Sequence, residues 1–293
     1  MKKEPKPYFS IVIPALNEEK YLPNLLSDLS KQIYTNFEVI VVDGKSEDKT
    51  VEKTAKFNKR LQLRCVVAEK RNVSYQRNLG GGLAKAPWVV FMDADDRLPE
   101  NFLLGVRYQL SKDPTVDCFS TRLTAGTTNK FDRLISNGFN LAVELQNSMG
   151  NPTGIAALLG CKTEVFLKHP FDEKQLFLED GFFLKELTSH GYSYHIFTDP
   201  KFILSLRRFK KEGNLKLLQT AFKYQLHYLR GGDFTKPLQA KDYPMLGGKY
   251  YAELDSSDQE TWALTISNFI KGASRKQLEQ ARTILNSFRD MEF

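Results

Sequence analysis

The stretch Trp88-Val89-Val90-Phe91-Met92-Asp93-Ala94-Asp95-Asp96 decides the fold class. Five apolar residues run without interruption and give way at once to three carboxylates within four residues. So short an apolar run, rich in β-branched and aromatic side chains and ended by a polar cluster, reads as a strand buried on both faces. The same design recurs upstream. Phe9–Ile13 closes on Pro14 and leads into Leu16-Asn17-Glu18, Phe37–Val42 closes on Asp43-Gly44, and Leu63–Ala68 forms a further run. Helical patterns lie between them: Glu19–Gln32, with Tyr21, Leu22, Leu25, Leu26 and Leu29 on one face, then Asp48–Asn58 and Val73–Ala84. Continuous apolar strands alternating with amphipathic helices predict an α/β chain with a mostly parallel sheet flanked by helices. Ligands of such sheets bind at the carboxyl ends of the strands. The clusters Asn17-Glu18, Asp43–Thr50 and Asp93–Asp96 are therefore expected to converge.

Beyond Pro99 the pattern predicts helices near Glu100–Leu110, Phe131–Asn147 and Leu178–His190, and strands near Val116–Leu123, Gly154–Leu159, Tyr192–Phe197 and Lys201–Leu206. After Gly213 the alternation stops, and Asn214–Leu229 and Ser257–Phe293 read as helical. Two parts are expected: a catalytic domain over 1–212, with halves of about 1–100 and 101–212, and a helical extension over 213–293.

The chain has 293 residues, 41% of them hydrophobic and 26% charged, which is ordinary globular composition. Three widely spaced cysteines with no C-x-x-C exclude a disulfide framework or zinc ribbon and suit a reducing compartment. Met1–Pro7 leads into no apolar segment and no run approaches about 20 apolar residues, so neither signal peptide nor membrane-spanning helix is expected. A cytoplasmic location follows as the expectation. Between Lys201 and Arg230 eight basic residues face the single acid Glu212, which equals the whole net charge of +7. On the helix over 214–230, Lys216, Lys223 and Arg230 recur beside an apolar face. Such a helix either packs on the catalytic domain with its lysines in water or lies peripherally on an anionic inner membrane face. The charge comes with no nucleic-acid-binding motif, and nucleic acid is not an expected partner.

Gly44-Lys45-Ser46 imitates the end of a phosphate-binding P-loop, but Val39 stands where the loop's first glycine is required. Gly80-Gly81-Gly82 lies late in a helix, and no G-x-G-x-x-G follows the first strand, so dinucleotide chemistry is a poor fit. Asp93-Ala94-Asp95-Asp96 concentrates like charges that a cation would relieve. Asp93 and Asp95 project to one side of an extended backbone and offer hard oxygen ligands suited to Mg²⁺ or Mn²⁺. The plainer alternative is a solvated acidic turn. Glu179-Asp180 opens a helix, where the macrodipole favours carboxylates whatever their function and would keep a general base ionised.

Taken in order, these segments resemble the family 2 glycosyltransferases of the GT-A fold. The resemblance rests on Ser10–Glu18, on Val41-Val42-Asp43-Gly44-Lys45-Ser46-Glu47-Asp48-Lys49-Thr50, on Gln76–Gly80, on Val89–Asp96, and on Phe171-Asp172 followed by Glu179-Asp180-Gly181. It implies an inverting transfer of one sugar from a UDP- or GDP-sugar to a hydroxyl acceptor, saccharide or lipid-linked. Pro14, Asn17 and Glu18 match the loop lining the nucleoside, and Asp43 matches the acid that bonds the base. Ser46, Asp48 and Thr50 match residues that shape the loop. Arg71, Arg77, Arg207 and Arg208 match basic residues near the nucleotide. Asp93 and Asp95 are similar to the D-x-D pair that holds Mn²⁺ or Mg²⁺. His195 and His190 are the nearest candidates for the further histidine ligand that relatives carry downstream of the base, without its spacing, and a surface or core histidine is the plainer reading of both. Asp180, with Glu179 beside it, falls at the catalytic base.

The Q-x-x-R-W motif of processive synthases is absent, which argues for single additions. Two other readings use the same scaffold. A sugar-phosphate nucleotidyltransferase would show glycine and arginine after the first strand, and Pro14–Glu18 has neither. A non-catalytic nucleotide-sugar or partner-binding protein would not require Asp180.

Overall fold

The computed structural model describes residues 6–127, 130–148, 152–153, 157–205, 207 and 234–235, all within one compact unit. The boundary expected at 212–213, the basic helix over 214–230 and the extension beyond it lie outside the described residues.

Strands β1 (Phe9–Ala15), β2 (Phe37–Asp43), β3 (Leu63–Val67) and β4 (Trp88–Met92) alternate with helices α1 (Leu22–Leu29), α2 (Thr50–Ala55) and α3 (Val73–Gly82). Then follow α4 (Phe102–Lys112), β5 (Cys118–Thr124), α5 (Lys130–Ser148), β6 (Leu158–Lys162), α6 (Thr163–Lys168), α7 (Glu179–Ser189) and β7 (Tyr194–Ile203). One seven-stranded sheet results, ordered β3-β2-β1-β4-β6-β5-β7. Every pairing is parallel except those of β6, which runs antiparallel to β4 and β5.

Alternate residues of the central strands feed two cores. Ile11, Ile13, Val39, Val41 and Val90 pack with Leu22, Leu25, Phe102 and Val106 on one face. Val12, Ile40, Val42, Val89 and Phe91 pack with Phe166, Phe183, Leu184 and Leu187 on the other. Burial on both faces is why the strand sequences are continuously apolar. Glu38, an acid inside β2, is 4% exposed and is satisfied by the Ser10 hydroxyl at 2.7 Å and the Lys85 amide at 2.8 Å.

Four elements differ from the sequence reading. β1 runs through Pro14 because its pairing with β4 stops at Val12. The Ala15 carbonyl accepts from Gly44 beyond β2, so Pro14 faces the other way, where no ladder bond is needed. The strand expected at Gly154–Leu159 is found at Leu158–Lys162. Gly160 and Lys162 read as breakers, yet the Phe119 ring lies 2.2 Å from where a Gly160 Cβ would stand, and Lys162 pairs with Asp117 at 2.9 Å. The two strands expected around Pro200 are the single strand β7, which tolerates proline because it is a sheet edge. Helix α6 is too short for its periodicity to show in sequence.

Helix α3 lies against the sheet at its glycines. A Cβ on Gly80 would stand 2.3 Å from Val12 Cγ1, and one on Gly81 would stand 2.1 Å from the Phe166 ring, whereas one on Gly82 meets nothing within 4 Å. Gly81→Ala is therefore expected to destabilise the fold by about 1–3 kcal/mol through overpacking. Gly82→Ala should be neutral or stabilising by up to about 1 kcal/mol through helix propensity. Urea midpoints of the two variants provide the check.

Candidate active site

The loops after β1, β2 and β4 meet at the carboxyl edge of the sheet, stitched by polar side chains whose spacing was visible in sequence. Asp43 is 1% exposed; its Oδ2 accepts from the Ser46 amide at 2.9 Å, while Oδ1 is buried with no hydrogen-bond partner. The Ser46 hydroxyl accepts from the Asn17 amide at 2.8 Å, and Asn17 Oδ1 accepts from the Glu47 amide at 2.8 Å. Asp48 accepts from the amides of Glu19 (3.1 Å) and Thr50 (2.9 Å), and the Thr50 hydroxyl accepts from the Glu18 amide at 2.8 Å. Asn17 takes a left-handed φ of 55°, a conformation asparagine tolerates better than most residues. Pro14 is buried at the end of β1. Arg71 is exposed at the rim and donates to the Lys45 carbonyl (2.9 Å) and Glu47 (2.6 Å).

The acidic segment after β4 is fixed from both sides. The Asp93 amide donates to the Ala157 carbonyl at 3.0 Å. Arg97 exchanges backbone hydrogen bonds with Ile203 and holds the Asp28 carboxylate with two nitrogens, at 2.5 and 2.8 Å. Asp93 and Asp95 are half-buried, whereas Asp96 is 1% exposed and both its carboxylate oxygens are buried without a hydrogen-bond partner. Burial and the neighbouring carboxylates push Asp96 well above the usual carboxylate range. Burial likewise raises Asp93 to about 6, against the pull of Arg77.

Three consecutive side chains of helix α3 tie it to the ends of β1 and β2, to this segment and α7, and to Phe171. Gln76 Nε2 donates to the carbonyls of Ala15 (3.0 Å) and Val42 (2.7 Å) at the ends of β1 and β2. The Arg77 guanidinium, 2% exposed, donates to Glu179 at 2.6 Å and to Asp93 at 3.1 Å. Asn78 exchanges two hydrogen bonds, both 2.9 Å, with the backbone of Phe171. Phe171 stacks on Phe183 of α7 with centroids 4.4 Å apart. Leu178, just ahead of the helix, sits at φ 53°, a strained conformation for a branched side chain. Asp180, 6% exposed, is raised to about 7 by burial and then by Glu179, with Arg77 opposing.

Arg207 closes the site from beyond β7. It donates to both Glu18 oxygens (2.7 and 2.6 Å), approaches Asp95 at 2.7 Å, and lies 4.5 Å from the centre of the Tyr21 ring. Burial raises Glu18 to about 7 in spite of that pair. The expected residues Asn17, Glu18, Asp43, Arg71, Arg77, Asp93, Asp95, Glu179, Asp180 and Arg207 thus share one polar network or its rim.

Some expectations are corrected. His195 does not join Asp93 and Asp95: it lies near the start of β7, its Nδ1 3.6 Å from Asp113. Arg97, which follows Asp93–Asp96, instead bridges Ile203 at the other end of that strand, about 17 Å away as measured along the paired strand β5. His190 ends α7 beside Glu186, some ten residues beyond Asp180. Arg77 and Glu179 hold each other at 2.6 Å, their side chains 2% and 12% exposed. Arg208 lies outside the described residues. Asp96 and Tyr21 were not singled out as site residues, the first because it reads as part of a solvated acidic turn and the second because it lies on the apolar face of a helical pattern.

Residues 10–168, more than half of the chain, match the family described as "Glycosyl transferase family 2". The chain belongs to that family. It is 35% identical over 99 residues to the poly(ribitol-phosphate) beta-N-acetylglucosaminyltransferase TarS of Staphylococcus aureus, a match covering 32% of this chain and 17% of TarS. The crystal structure of TarS in complex with UDP-GlcNAc superposes with a TM-score of 0.53 at 23% identity, over 66% of this chain and 57% of that one. The mannosyltransferase PcManGT of Pyrobaculum calidifontis, in complex with GDP-Man and Mn²⁺, superposes with a TM-score of 0.62 at 19% identity, over 97% of this chain and 84% of its own. At these identities the structural likeness establishes a shared GT-A fold.

Truncating Arg77 leaves a buried carboxylate unpaired. Arg77→Met is expected to cost about 3–5 kcal/mol at neutral pH, as for other broken buried pairs. The loss should shrink as the pH falls and the orphaned acids protonate. Chemical denaturation at two pH values reads both effects.

Proposed function

We propose that this chain is an inverting glycosyltransferase that moves a single sugar from a UDP- or GDP-sugar to a hydroxyl acceptor, with Asp180 as general base and Mn²⁺ or Mg²⁺ at the Asp93-Ala94-Asp95 segment. What carries this reading is Arg77, whose contacts with Asp93 and Glu179 bring the amino end of α7, and with it Asp180, to the carboxyl edge of β4. Donor-side and acceptor-side acids are thereby parts of one site. The nucleotide-sugar complexes of TarS and PcManGT support the donor class.

The residues fit a divalent cation. Asp93, Asp95 and Asp96 are hard oxygen donors, and the buried Asp96 carboxylate has no hydrogen-bond partner. A cation held there would supply charge neutralisation to the leaving diphosphate. The unpartnered Oδ1 of Asp43 is an acceptor for a nucleobase N–H. Arg71 and Arg207 bring positive charge to the same rim, where the diphosphate develops its charge. In the transfer, the acceptor oxygen bonds to the anomeric carbon as the bond from that carbon to the diphosphate oxygen breaks on the opposite face. The hydroxyl proton passes to Asp180.

Asp180 can accept that proton only when ionised, so kcat/KM is expected to rise with pH through about 7. Because its folded pKa lies above that of an unfolded aspartate, its ionisation opposes folding as the pH rises through that value. Asp180→Asn should therefore lower turnover by about 10²–10⁴-fold, keep donor affinity, and leave Tm at pH 8 unchanged or higher. Unchanged turnover would remove Asp180 from the base role.

A thermal-shift panel of UDP and GDP with Mn²⁺, Mg²⁺ or chelator tests the donor site. Saturation at 100 times Kd stabilises by about 2.7 kcal/mol. One nucleotide should raise Tm only with metal, and Asp95→Asn should abolish that dependence. No shift with either nucleotide would contradict the donor assignment.

A further inference from the structure

We infer that His169, Glu186 and His190 form a second metal site, for a divalent transition ion of the zinc type, at the opposite end of α7 from Asp180. The three side chains offer ligand atoms that all lie within 4.8 Å of one another. Glu186 and His190 are four residues apart on α7 and so project from one face. His169 ends α6 and reaches across, its Nδ1 3.5 Å from the Glu186 carboxylate, while His190 Nδ1 is 3.4 Å from the same oxygen. The imidazole rings stand 4.5 Å apart.

Both supporting elements are anchored: Phe166 of α6 and Leu184 and Leu187 of α7 are no more than 1% exposed. His190 Nδ1 also lies 2.9 Å from the Glu186 backbone carbonyl, a contact that holds the ring beside its own helix turn. Tetrahedral zinc with bonds of about 2.0–2.2 Å needs ligand atoms about 3.3–3.5 Å apart, which side-chain rotation of the half-exposed Glu186 and His190 supplies.

Two imidazoles and one carboxylate suit Zn²⁺, Co²⁺, Ni²⁺ or Cu²⁺ and disfavour Mg²⁺. Three protein ligands leave a fourth position, and a cleft of about 330 Å³, lined in part by Asp172 and Gln175, opens beside His169 and Glu186. The site is separate from the acidic segment at β4, since ten residues of helix put His190 about 15 Å from Asp180. An ion here would cross-link the end of α6 to the last turn of α7, the helix that presents the proposed base.

Co²⁺ titration of the full chain in excess Mg²⁺ tests this, because Mg²⁺ fills oxygen-donor sites and visible d–d absorption reports the histidine site. Wild-type protein is expected to develop the band, saturating at one ion per chain, and Zn²⁺ should bleach it. His190→Ala and His169→Ala should each weaken binding at least ~10-fold, the lower end of what loss of even an outer partner causes. Metal-free Tm values establish that the variants fold, and the more exposed His190 decides if His169→Ala does not. No band in the wild type, or an unchanged band in both variants, would overturn the site.

Discussion

A guanidinium buried between two carboxylates organises this molecule. Arg77 is 2% exposed, and burying such a group is tolerable only with close partners on more than one side. Asp93 comes from the end of β4 and Glu179 from the first turn of α7, segments far apart in sequence. Helix α3 must therefore lie tight against the sheet for the arginine to reach both. Gly80 and Gly81, three and four residues after Arg77, share its face of the helix, and their missing side chains allow that approach to Val12 and Phe166. The glycine run that might suggest a phosphate loop is a packing device serving an ion pair.

Charge balance explains much of the remaining site. Glu18, Asp93, Asp95, Asp96, Glu179 and Asp180 bring acids to one edge of the sheet, where Arg77 and Arg207 pair with four of them. Glu18, Asp93, Asp96 and Asp180 are all pushed upward, each chiefly by burial. Such a cluster is an unfavourable arrangement for folding alone, and its excess negative charge matches a ligand that brings a cation. The D-x-x-S-x-D-x-T spacing works differently. Asp43, Ser46, Asp48 and Thr50 satisfy backbone amides of their own loop and of the loop after β1, so their chemistry is largely architectural.

The central strands and the convergence of their polar ends were legible in sequence because burial on both faces writes an uninterrupted apolar run. Legibility failed where a tertiary partner overrides a local signal. Gly160 and Lys162 look like the end of a strand until Phe119 and Asp117 are placed beside them, and Pro200 looks like a break until β7 proves to be an edge. His195 failed for a different reason: a ligand's chain position does not say which end of a strand it occupies. The Arg77–Glu179 pair was similarly hidden, since partners 102 residues apart leave no periodic trace.

Asp180 shows why the helix that carries it is so heavily braced. A carboxylate at a helix amino terminus would ordinarily be stabilised as the anion, yet burial and Glu179 hold this one near neutrality in its pKa. That arrangement opposes folding above about pH 7 and demands compensation from neighbouring packing. Phe183 stacks on Phe171, which Asn78 ties to α3, and Phe182 packs edge-on against Phe234, whose carbonyl accepts from Leu176 at 3.0 Å. Leu178 at φ 53° is held in the same frame. A strained residue and a pressed carboxylate, neither favoured by stability alone, are thus held within a few residues of each other by a converging set of aromatic anchors that supply the compensation.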